Sequence, residues 1–184
     1  MLTIISPCYR QHHLPIMYDS INFDKIYEWI IVYDTTKDRK YTRMFDRHPK
    51  IREVECDDAS ISGNAQRNYG ISLVKDGFIY FLDDDNIVHP NFWKIADSFQ
   101  LPYFYTFDQD RDKKGWILRG NKIQVRWIDT AMYVVHKKHI GKIKWQLMEY
   151  KADGYFICDV LTNNPYFHNY IPKTAAYYNH IVGA

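Results

Sequence analysis

The chain is 184 residues long, with 46% hydrophobic and 17% aromatic content, which is enough to build a single domain around one sizeable core. Its 24 Lys and Arg residues nearly balance its 22 Asp and Glu residues, and no basic segment interleaves with aromatic residues, so we expect no nucleic-acid partner. We recognise no transmembrane run, no secretory signal and no CxxC spacing among the three cysteines, which predicts a cytoplasmic protein without disulfides.

Four short apolar runs in the first half predict β-strands at residues 2–6, 28–33, 51–55 and 78–82. Their continuous apolar character suits strands that are covered on both faces, and the helix-like segments between them indicate parallel strands joined by crossover helices. The clearest helix lies between the third and fourth strands. There Ala65, Tyr69 and Leu73 recur every four residues, Ser62 can cap the start, and Gly77 follows the end.

The second half predicts strands at 102–107 and 130–135, separated by a charged loop at 108–115 that can close over a ligand. A helix is predicted at 152–164, because an acidic residue opens it and a proline follows it. We find neither an internal repeat nor a linker. The whole chain therefore predicts one α/β domain.

Polar residues follow the predicted parallel strands, where α/β sheets bind ligands. Asp34 ends the second strand, and Asp83, Asp84 and Asp85 end the fourth. Adjacent carboxylates repel each other, so the run requires a positive partner. A divalent cation such as Mg²⁺ or Mn²⁺ would supply it, since such ions prefer oxygen ligands. The alternative is an acidic turn exposed to solvent.

Each remaining candidate has a structural alternative. Asp34 suits a nucleotide base or ribose but is also a common turn former. Arg67 lies in the predicted helix, where it can reach a phosphate or a base carbonyl, or simply be an exposed cation. Asp153 can act as a general base or as a helix N-cap. Asp129 is the competing base, and the neighbouring Trp127 suits stacking on a sugar.

Other motifs exclude several enzyme classes. Eight histidines show no metal-ligand spacing such as HExxH, and we keep only His180 as an extra metal or phosphate contact. The chain contains no G-x-S-x-G elbow, P-loop or G-x-G-x-x-G, which argues against α/β-hydrolases, P-loop NTPases and dinucleotide-dependent dehydrogenases.

Taken in order, the motifs resemble those of the inverting, family 2-type glycosyltransferases of the GT-A fold. The segments that carry the resemblance are LTIISPCYR, WIIVYDTT, GNAQRNYGI and FIYFLDDDNIVHPNFW, followed more loosely by TAMYVVHKKHIGKIKW, KADGYFI and IPKTAAYYNHI. The resemblance extends from Leu2 to His180. The chain departs from the family pattern at residues 35–37, where Thr-Thr-Lys replaces Asp-Gly-Ser, and at Ala152, which replaces a glutamate. Its size is similar to that of the compact glycosyltransferase domains encoded by large algal viruses.

The resemblance implies a Rossmann-like, mostly parallel central sheet flanked by helices, with a donor half at residues 1–90 and an acceptor half at 91–184. It implies transfer of a hexosyl or deoxyhexosyl group from a UDP-sugar to a saccharide hydroxyl, with inversion, in glycan biosynthesis. The implied roles are nucleotide binding by Pro7, Tyr9, Asp34 and Arg67; ribose and sugar contacts by Asp83 and Asp84; binding of Mn²⁺ or Mg²⁺ by Asp85 with Asp83; acceptor binding by Trp127 and Asp129; and proton abstraction by Asp153.

Two other classes of function remain open from the sequence. A metal-dependent nucleotidyl or phosphoryl transferase can also place a D-x-D pair at a strand end, but it has no need of Asp153. A non-catalytic module that binds nucleotide sugars or glycans would keep the pocket without turnover.

Overall fold

A mixed nine-stranded sheet forms the centre of the computed structural model, which describes residues 1–36, 39–111 and 115–181. The strands are β1 (Leu2–Cys8), β2 (Glu28–Asp34), β3 (Ile51–Cys56), β4 (Phe78–Phe81), β5 (Ile87–Val88), β6 (Phe104–Asp110), β7 (Ile117–Leu118), β8 (Tyr133–His136) and β9 (His168–Tyr177). Their order in the sheet is β3-β2-β1-β4-β8-β6-β9-β5, and β7 pairs with β6.

The four strands predicted in the first half are present and run parallel. β1 pairs with β2 and β4, and β2 pairs with β3. All seven residues of β1 are buried, as the continuous apolar run predicts. The carboxyl ends of β1, β2 and β4 therefore lie at one edge of the sheet.

The second half adds antiparallel pairs and departs from its predicted boundaries. β8 runs antiparallel to both β4 and β6, while β9 runs parallel to β6. The predicted loop at 108–115 is wrong at its start, because β6 continues to Asp110 and buries Asp108 and Gln109. Residues 112–114 of that loop lie outside the described residues. The predicted strand at 130–135 begins only at Tyr133, after a 3₁₀ turn that spans Thr130–Met132.

Five helices flank the sheet in the described residues: α1 (Leu14–Ser20), α2 (Asn64–Leu73), α3 (Pro90–Ile95), α4 (Lys137–Ile140) and α5 (Ala152–Asn163). The prediction that Ser62 caps α2 is wrong. Gly63 is the N-cap residue, and the Ser60 hydroxyl accepts the backbone N–H of Ala65 at 3.0 Å. Helix α5 ends before Pro165, as predicted. Within the residues that the structure describes, no helix is long and apolar enough to span a membrane.

The core lies on both faces of the sheet. Ile4 and Ile5, which are neighbours in β1, belong to different buried clusters, because successive side chains of a strand point to opposite faces. One cluster packs beneath α1 and α3, and the other packs beneath α2 and α5. Helix α2 approaches β1 closely through Gly70, where a Cβ atom would lie 2.5 Å from Ile5 Cγ2. This close packing places the first turn of α2 beside the carboxyl end of β1.

Candidate active site

A cleft of about 540 Å³ opens at the carboxyl edge of the parallel strands. We call its two sides the N-terminal wall, drawn from residues 7–10, 62–67 and 83–85, and the C-terminal wall, drawn from residues 111, 126–130 and 145–153. Most of the predicted site residues line it: Pro7, Tyr9, Arg67, Asp83, Asp84, Asp85, Asp129 and Asp153.

Asp84, in the middle of the aspartate run, ties β1 to β4. Its side chain is buried, and one carboxylate oxygen accepts the backbone N–H groups of Tyr9 and Arg10 at 2.6 and 2.7 Å. The other oxygen accepts Arg10 Nε at 2.8 Å and also binds Arg10 Nη2. His13 Nδ1 lies 2.7 Å from the Asp84 carbonyl oxygen. Both oxygens thus have protein partners, and a contact from Asp84 to the donor stays a prediction.

Two arginines are the positive partners of the aspartate run. Arg10 Nη2 donates to Asp85 at 2.8 Å as well as binding Asp84, and Arg67 Nη2 donates to Asp83. Burial, followed by the charge of Asp83, raises the pKa of the Asp85 carboxyl. The alternative of a turn exposed to solvent is wrong, because the side chains of Asp84 and Asp85 are only 2% and 16% exposed.

Arg67 is a buried cation rather than an exposed residue of the helix surface. It is 4% exposed, and its guanidinium lies over the Trp145 ring, with 4.5 Å between Cζ and the ring centroid. Arg67 Nη1 also donates to the Ser62 carbonyl at 2.5 Å. A buried charge is costly unless it is paired. The pair with Asp83 therefore explains how a buried cation is maintained in the N-terminal wall of the cleft.

The loop before α2 shapes the pocket around Pro7 and Tyr9. Gly63 has a φ of +78°, and a Cβ atom there would lie 2.6 Å from Pro7 Cβ. The backbone N–H of Gly63 donates to the Tyr9 hydroxyl at 3.0 Å. A residue with a side chain at position 63 would clash with Pro7 and strain the backbone.

Asp34 lies at the end of β2, outside the residues that line the cleft. It is buried, accepts the backbone N–H of Thr36 at 2.9 Å and pairs with Arg39 Nη1 at 3.4 Å. Arg39 in turn lies 5.3 Å from the centroid of the Tyr9 ring. Asp34 thus forms the turn that the alternative proposed, and Arg39 links it to the wall of the cleft. Its contact with a nucleotide base stays a prediction.

Two asparagines of α2 attach the C-terminal wall to the N-terminal wall. Asn68 exchanges hydrogen bonds of 2.9 Å with both the backbone N–H and the carbonyl of Trp145. Asn64 donates to the carbonyls of Gln146 and Glu149, both at 2.9 Å. These bonds fix the segment that leads into α5, and so they position the first turn of that helix.

Asp129 and Asp153 are partly buried carboxylates in the C-terminal wall. Burial raises the pKa of Asp153 to about 6, and its closest hydrogen bond is from the backbone N–H of Gly154 at 2.7 Å. Burial, with the charges of Asp83 and Asp153, raises the pKa of Asp129 to about 7. Lys151, not Asp153, is the N-cap residue of α5, so the alternative role of Asp153 as N-cap is wrong. Carboxyl groups with such pKa values suit proton transfer near neutral pH.

Trp127 and His180 lie beside the cleft rather than in its lining. Trp127 is 51% exposed, and Lys122 Nζ lies 4.7 Å from its ring centroid. The ring of His180 packs against Tyr177, with 5.1 Å between the centroids. The backbone N–H of the next residue, Ile181, donates to the Asp85 carbonyl at 3.3 Å, which holds this segment near the aspartate run.

The cleft carboxylates include oxygen ligands of the kind that a divalent cation prefers. Among residues 1–36, 39–111 and 115–181, no group of three or more His, Cys, Asp or Glu side chains could hold a metal ion. Mg²⁺ and Mn²⁺ are often held by only one or two carboxylates, with phosphate oxygens and water completing the shell. Asp83 and Asp85 both line the cleft and offer oxygen ligands of this kind.

The side chains of the cleft that the sequence analysis missed include Arg10, Arg111 and Trp145. Arg10 follows Tyr9 directly in the SPCYR segment, and its position after a predicted strand was the one available signal. Arg111, whose Nη2 lies 3.7 Å from Asp129 Oδ2, falls in the segment predicted as a loop. Trp145 contacts Arg67 through tertiary packing, and no local pattern indicates it.

Comparison with solved structures shows the fold. Staphylococcus aureus TarS 1–349 in complex with UDP-GlcNAc matches 100% of this chain and 61% of its own, with a TM-score of 0.75 and 14% identity. The match to S. aureus TarS 1–349 in complex with UDP covers 96% of this chain and 59% of the TarS chain, with a TM-score of 0.75 and 13% identity. The chain thus spans about 60% of these TarS structures.

The match confirms the predicted GT-A-like α/β fold as a single compact domain, with a sheet that is mixed rather than mostly parallel. No protein-family model and no curated protein matches the sequence. The likeness to viral domains stays a prediction.

Proposed function

We propose that the protein is a metal-dependent, inverting glycosyltransferase that moves a sugar from a UDP-sugar to a saccharide hydroxyl. One observation carries the proposal: a single cleft joins an arginine–aspartate network on one wall to Asp153, a partly buried carboxylate of raised pKa, on the other. The TarS structures with UDP and UDP-GlcNAc, which share the fold, support the choice of donor.

The N-terminal wall would bind the donor. Arg67 presents a planar guanidinium that suits phosphate or base carbonyl oxygens, and its pair with Asp83 holds it in place. Pro7 and Tyr9 would pack against the nucleoside, and Asp34 would contact the uracil from the end of β2. Asp83 and Asp84 would then face the ribose and the sugar.

Asp85 and Asp83 would hold Mn²⁺ or Mg²⁺, with His180 as a further ligand, and the bound ion would neutralise the charge that develops on the departing diphosphate. Arg10 already contacts Asp84 and Asp85, so it fixes the orientation of two of the three carboxylates. The arrangement places positive charge close to the site where the diphosphate would bind.

Asp153 would take the proton from the acceptor hydroxyl. Its pKa of about 6 means that the carboxyl is largely ionised at neutral pH, yet basic enough to accept a proton in the transition state. The hydroxyl oxygen would attack the anomeric carbon from the face opposite the diphosphate, which inverts the configuration. Asp129, whose pKa is about 7, is the alternative base and an acceptor contact, and Trp127 beside the cleft would stack on the acceptor.

A screen of nucleotide sugars tests the proposal. The protein is incubated with UDP-, GDP- and dTDP-sugars and Mn²⁺, and the released products are identified by chromatography. We expect UDP-sugars to bind and to be slowly hydrolysed to intact UDP and free sugar. Release of pyrophosphate or phosphate would instead indicate a nucleotidyl or phosphoryl transferase. Binding without any turnover, even with a saccharide panel present, would indicate a non-catalytic module.

Metal dependence has its own test. We expect UDP affinity, measured by calorimetry, to fall at least tenfold when Mn²⁺ is chelated, and to fall similarly in Asp85→Ala with Mn²⁺ present. The matched control is Asp97→Ala, which removes an exposed carboxylate that pairs with Lys25 and does not line the cleft. Unchanged affinity both in the chelated wild type and in Asp85→Ala would contradict the metal assignment.

A further inference from the structure

Among the described residues, five basic side chains line the cleft, and three of them have a carboxylate partner. Arg10 pairs with Asp84 and Asp85, Arg67 pairs with Asp83, and Arg111 lies 3.7 Å from Asp129. The two others, Arg126 and Lys151, make no ion pair with any residue that the structure describes. The C-terminal wall therefore carries two cations whose charge no described carboxylate compensates.

The backbone holds Arg126 in an uncommon conformation at this place. Within the described part of the chain, three residues other than glycine have a positive φ: Ser62 at 53°, Arg126 at 75° and Asn179 at 47°. All three line the cleft. Backbone strain of this kind persists only where the surrounding structure enforces it, and it concentrates at functional sites.

Close packing against α5 enforces the position of the Arg126 turn. Gly154 has no side chain, and a Cβ atom there would lie 2.8 Å from Val125 Cα and 3.5 Å from the backbone nitrogen of Arg126. The turn therefore rests directly on the first turn of α5, which carries Lys151 and Asp153. The backbone of Arg126 is thus held close in space, and Lys151 lies close along the chain, to the carboxylate that would receive the acceptor proton.

We infer that Arg126 and Lys151 bind an anionic group, a carboxylate or a phosphate, on the saccharide acceptor. The inference rests on the proposed transferase activity, and it adds that the acceptor is acidic. A guanidinium binds either anion through two parallel hydrogen bonds, and an ammonium adds a second point charge. The partial positive charge at the N-terminus of the twelve-residue α5 acts in the same direction. The acceptor, rather than the donor, is selected because its hydroxyl must reach Asp153, which lies in the first turn of α5, beside Lys151 and next to the Gly154 that contacts the Arg126 turn.

Matched acceptors test the inference. Methyl glycosides of glucose, galactose and mannose are each compared as acceptors with the corresponding uronate and 6-phosphate. The donor is the UDP-sugar found in the screen, and the rate measured is UDP release minus the rate of donor hydrolysis without acceptor. We expect the charged member of at least one series to exceed its neutral partner at least tenfold in kcat/KM. That preference should shrink as salt is raised, because charge pairs are screened. Comparison of kcat/KM for the uronate with kcat/KM for the 6-phosphate then shows whether the bound group is a carboxylate or a phosphate.

Charge-neutralised variants complete the test. In Arg126→Gln with Lys151→Gln, we expect the tenfold preference to fall to less than twofold while UDP affinity stays within twofold of wild type. The control, Arg47→Gln with Lys75→Gln, makes the same change of charge at exposed positions away from the cleft and should keep the preference.

The inference is overturned if neutral acceptors are used as well as acidic ones, if no acidic acceptor raises UDP release, or if the double variant loses UDP affinity tenfold, which would assign the two cations to the donor diphosphate. Failure of the proposed function appears elsewhere, as absence of UDP-sugar binding and hydrolysis in the wild-type protein.

Discussion

The carboxylates of the two cleft walls differ in how closely arginine side chains pair with them. On the N-terminal wall, each of the three consecutive aspartates is paired with Arg10 or Arg67. On the C-terminal wall, Asp153 has no ion pair in the described structure, and the nearest cation to Asp129 is Arg111 at 3.7 Å. Burial raises the pKa of Asp153 to about 6 and that of Asp129 to about 7.

The difference indicates that one wall recognises the ligand and the other carries out acid–base chemistry. Paired and hydrogen-bonded carboxylates are fixed in orientation, which suits recognition of a charged ligand and, with an added cation, of a diphosphate. A partly buried carboxylate without a close cation has a pKa raised toward neutrality, which suits acid–base chemistry. Changes in the N-terminal wall should therefore affect binding and stability, while changes in the C-terminal wall should affect turnover and its dependence on pH.

The largest effect is expected from Asp153→Asn. An amide cannot accept the acceptor proton, so we expect kcat for transfer to fall by roughly 10²–10⁴, with UDP affinity retained. In the wild type, kcat should rise with pH and level off above about 6, because only the ionised carboxylate is a base. The control Asp159→Asn changes another carboxylate of α5 outside the cleft. A fully active Asp153→Asn would transfer the role of base to Asp129.

Arg67→Met should act mainly through binding and folding. Removing one partner of a buried ion pair typically costs about 3–5 kcal/mol, since it leaves the other charge uncompensated. We expect a loss of stability of this order in urea denaturation, together with weaker UDP binding. Arg43→Met, at an exposed ion pair on the surface, should change stability by no more than about 0.5 kcal/mol. Arg67→Lys keeps the charge, so normal UDP affinity in a folded Arg67→Lys would show that the planar fork is dispensable.

Asp34→Ala should have a smaller effect, on selectivity. The loss of a hydrogen bond from a base to a charged group costs about 1.5–3 kcal/mol. We therefore expect the preference for UDP over GDP, measured by competition calorimetry, to fall by about tenfold or more. Glu28→Ala, at the opposite end of β2, should leave it unchanged. An unchanged preference in Asp34→Ala would restrict this residue to its turn with Thr36 and its pair with Arg39.

The smallest effect is expected from Asp129→Asn, on thermal stability. The folded-state pKa of about 7 lies above the ordinary value of 3.8, so the wild type should lose stability as pH rises from about 4 to 7 and the buried carboxyl ionises. An amide removes this loss. Because 1 kcal/mol shifts Tm by roughly 2–4 °C in a chain of this size, we expect the variant to exceed wild type by several degrees at pH 8 and by almost none at pH 4. An equal difference at both values would contradict the raised pKa.

Local patterns determined the first half of the fold. The apolar runs identified β1, β2, β3 and β4, and the four-residue repeat identified α2, because a strand buried on both faces and an amphipathic helix each impose a regular pattern on the sequence. The same reasoning missed the end of β6. Asp108 and Gln109 are polar yet buried, since Asp108 accepts hydrogen bonds from Gly120 and Tyr170 and pairs with Arg119. These partners are distant in sequence, so polarity alone predicted a loop.

The sequence by itself determined where the polar residues of the cleft would gather, because the carboxyl ends of parallel strands must share one edge of the sheet. It also showed that Asp83, Asp84 and Asp85 required a positive partner. Only the tertiary structure decided, within the described residues, that Arg10 and Arg67 provide this charge, that the partly buried Asp129 has its nearest cation at 3.7 Å and Asp153 has no ion pair, and that Arg126 and Lys151 pair with no carboxylate. The physical reason is that charge compensation and burial depend on distances between residues far apart in the chain, and no local pattern contains them.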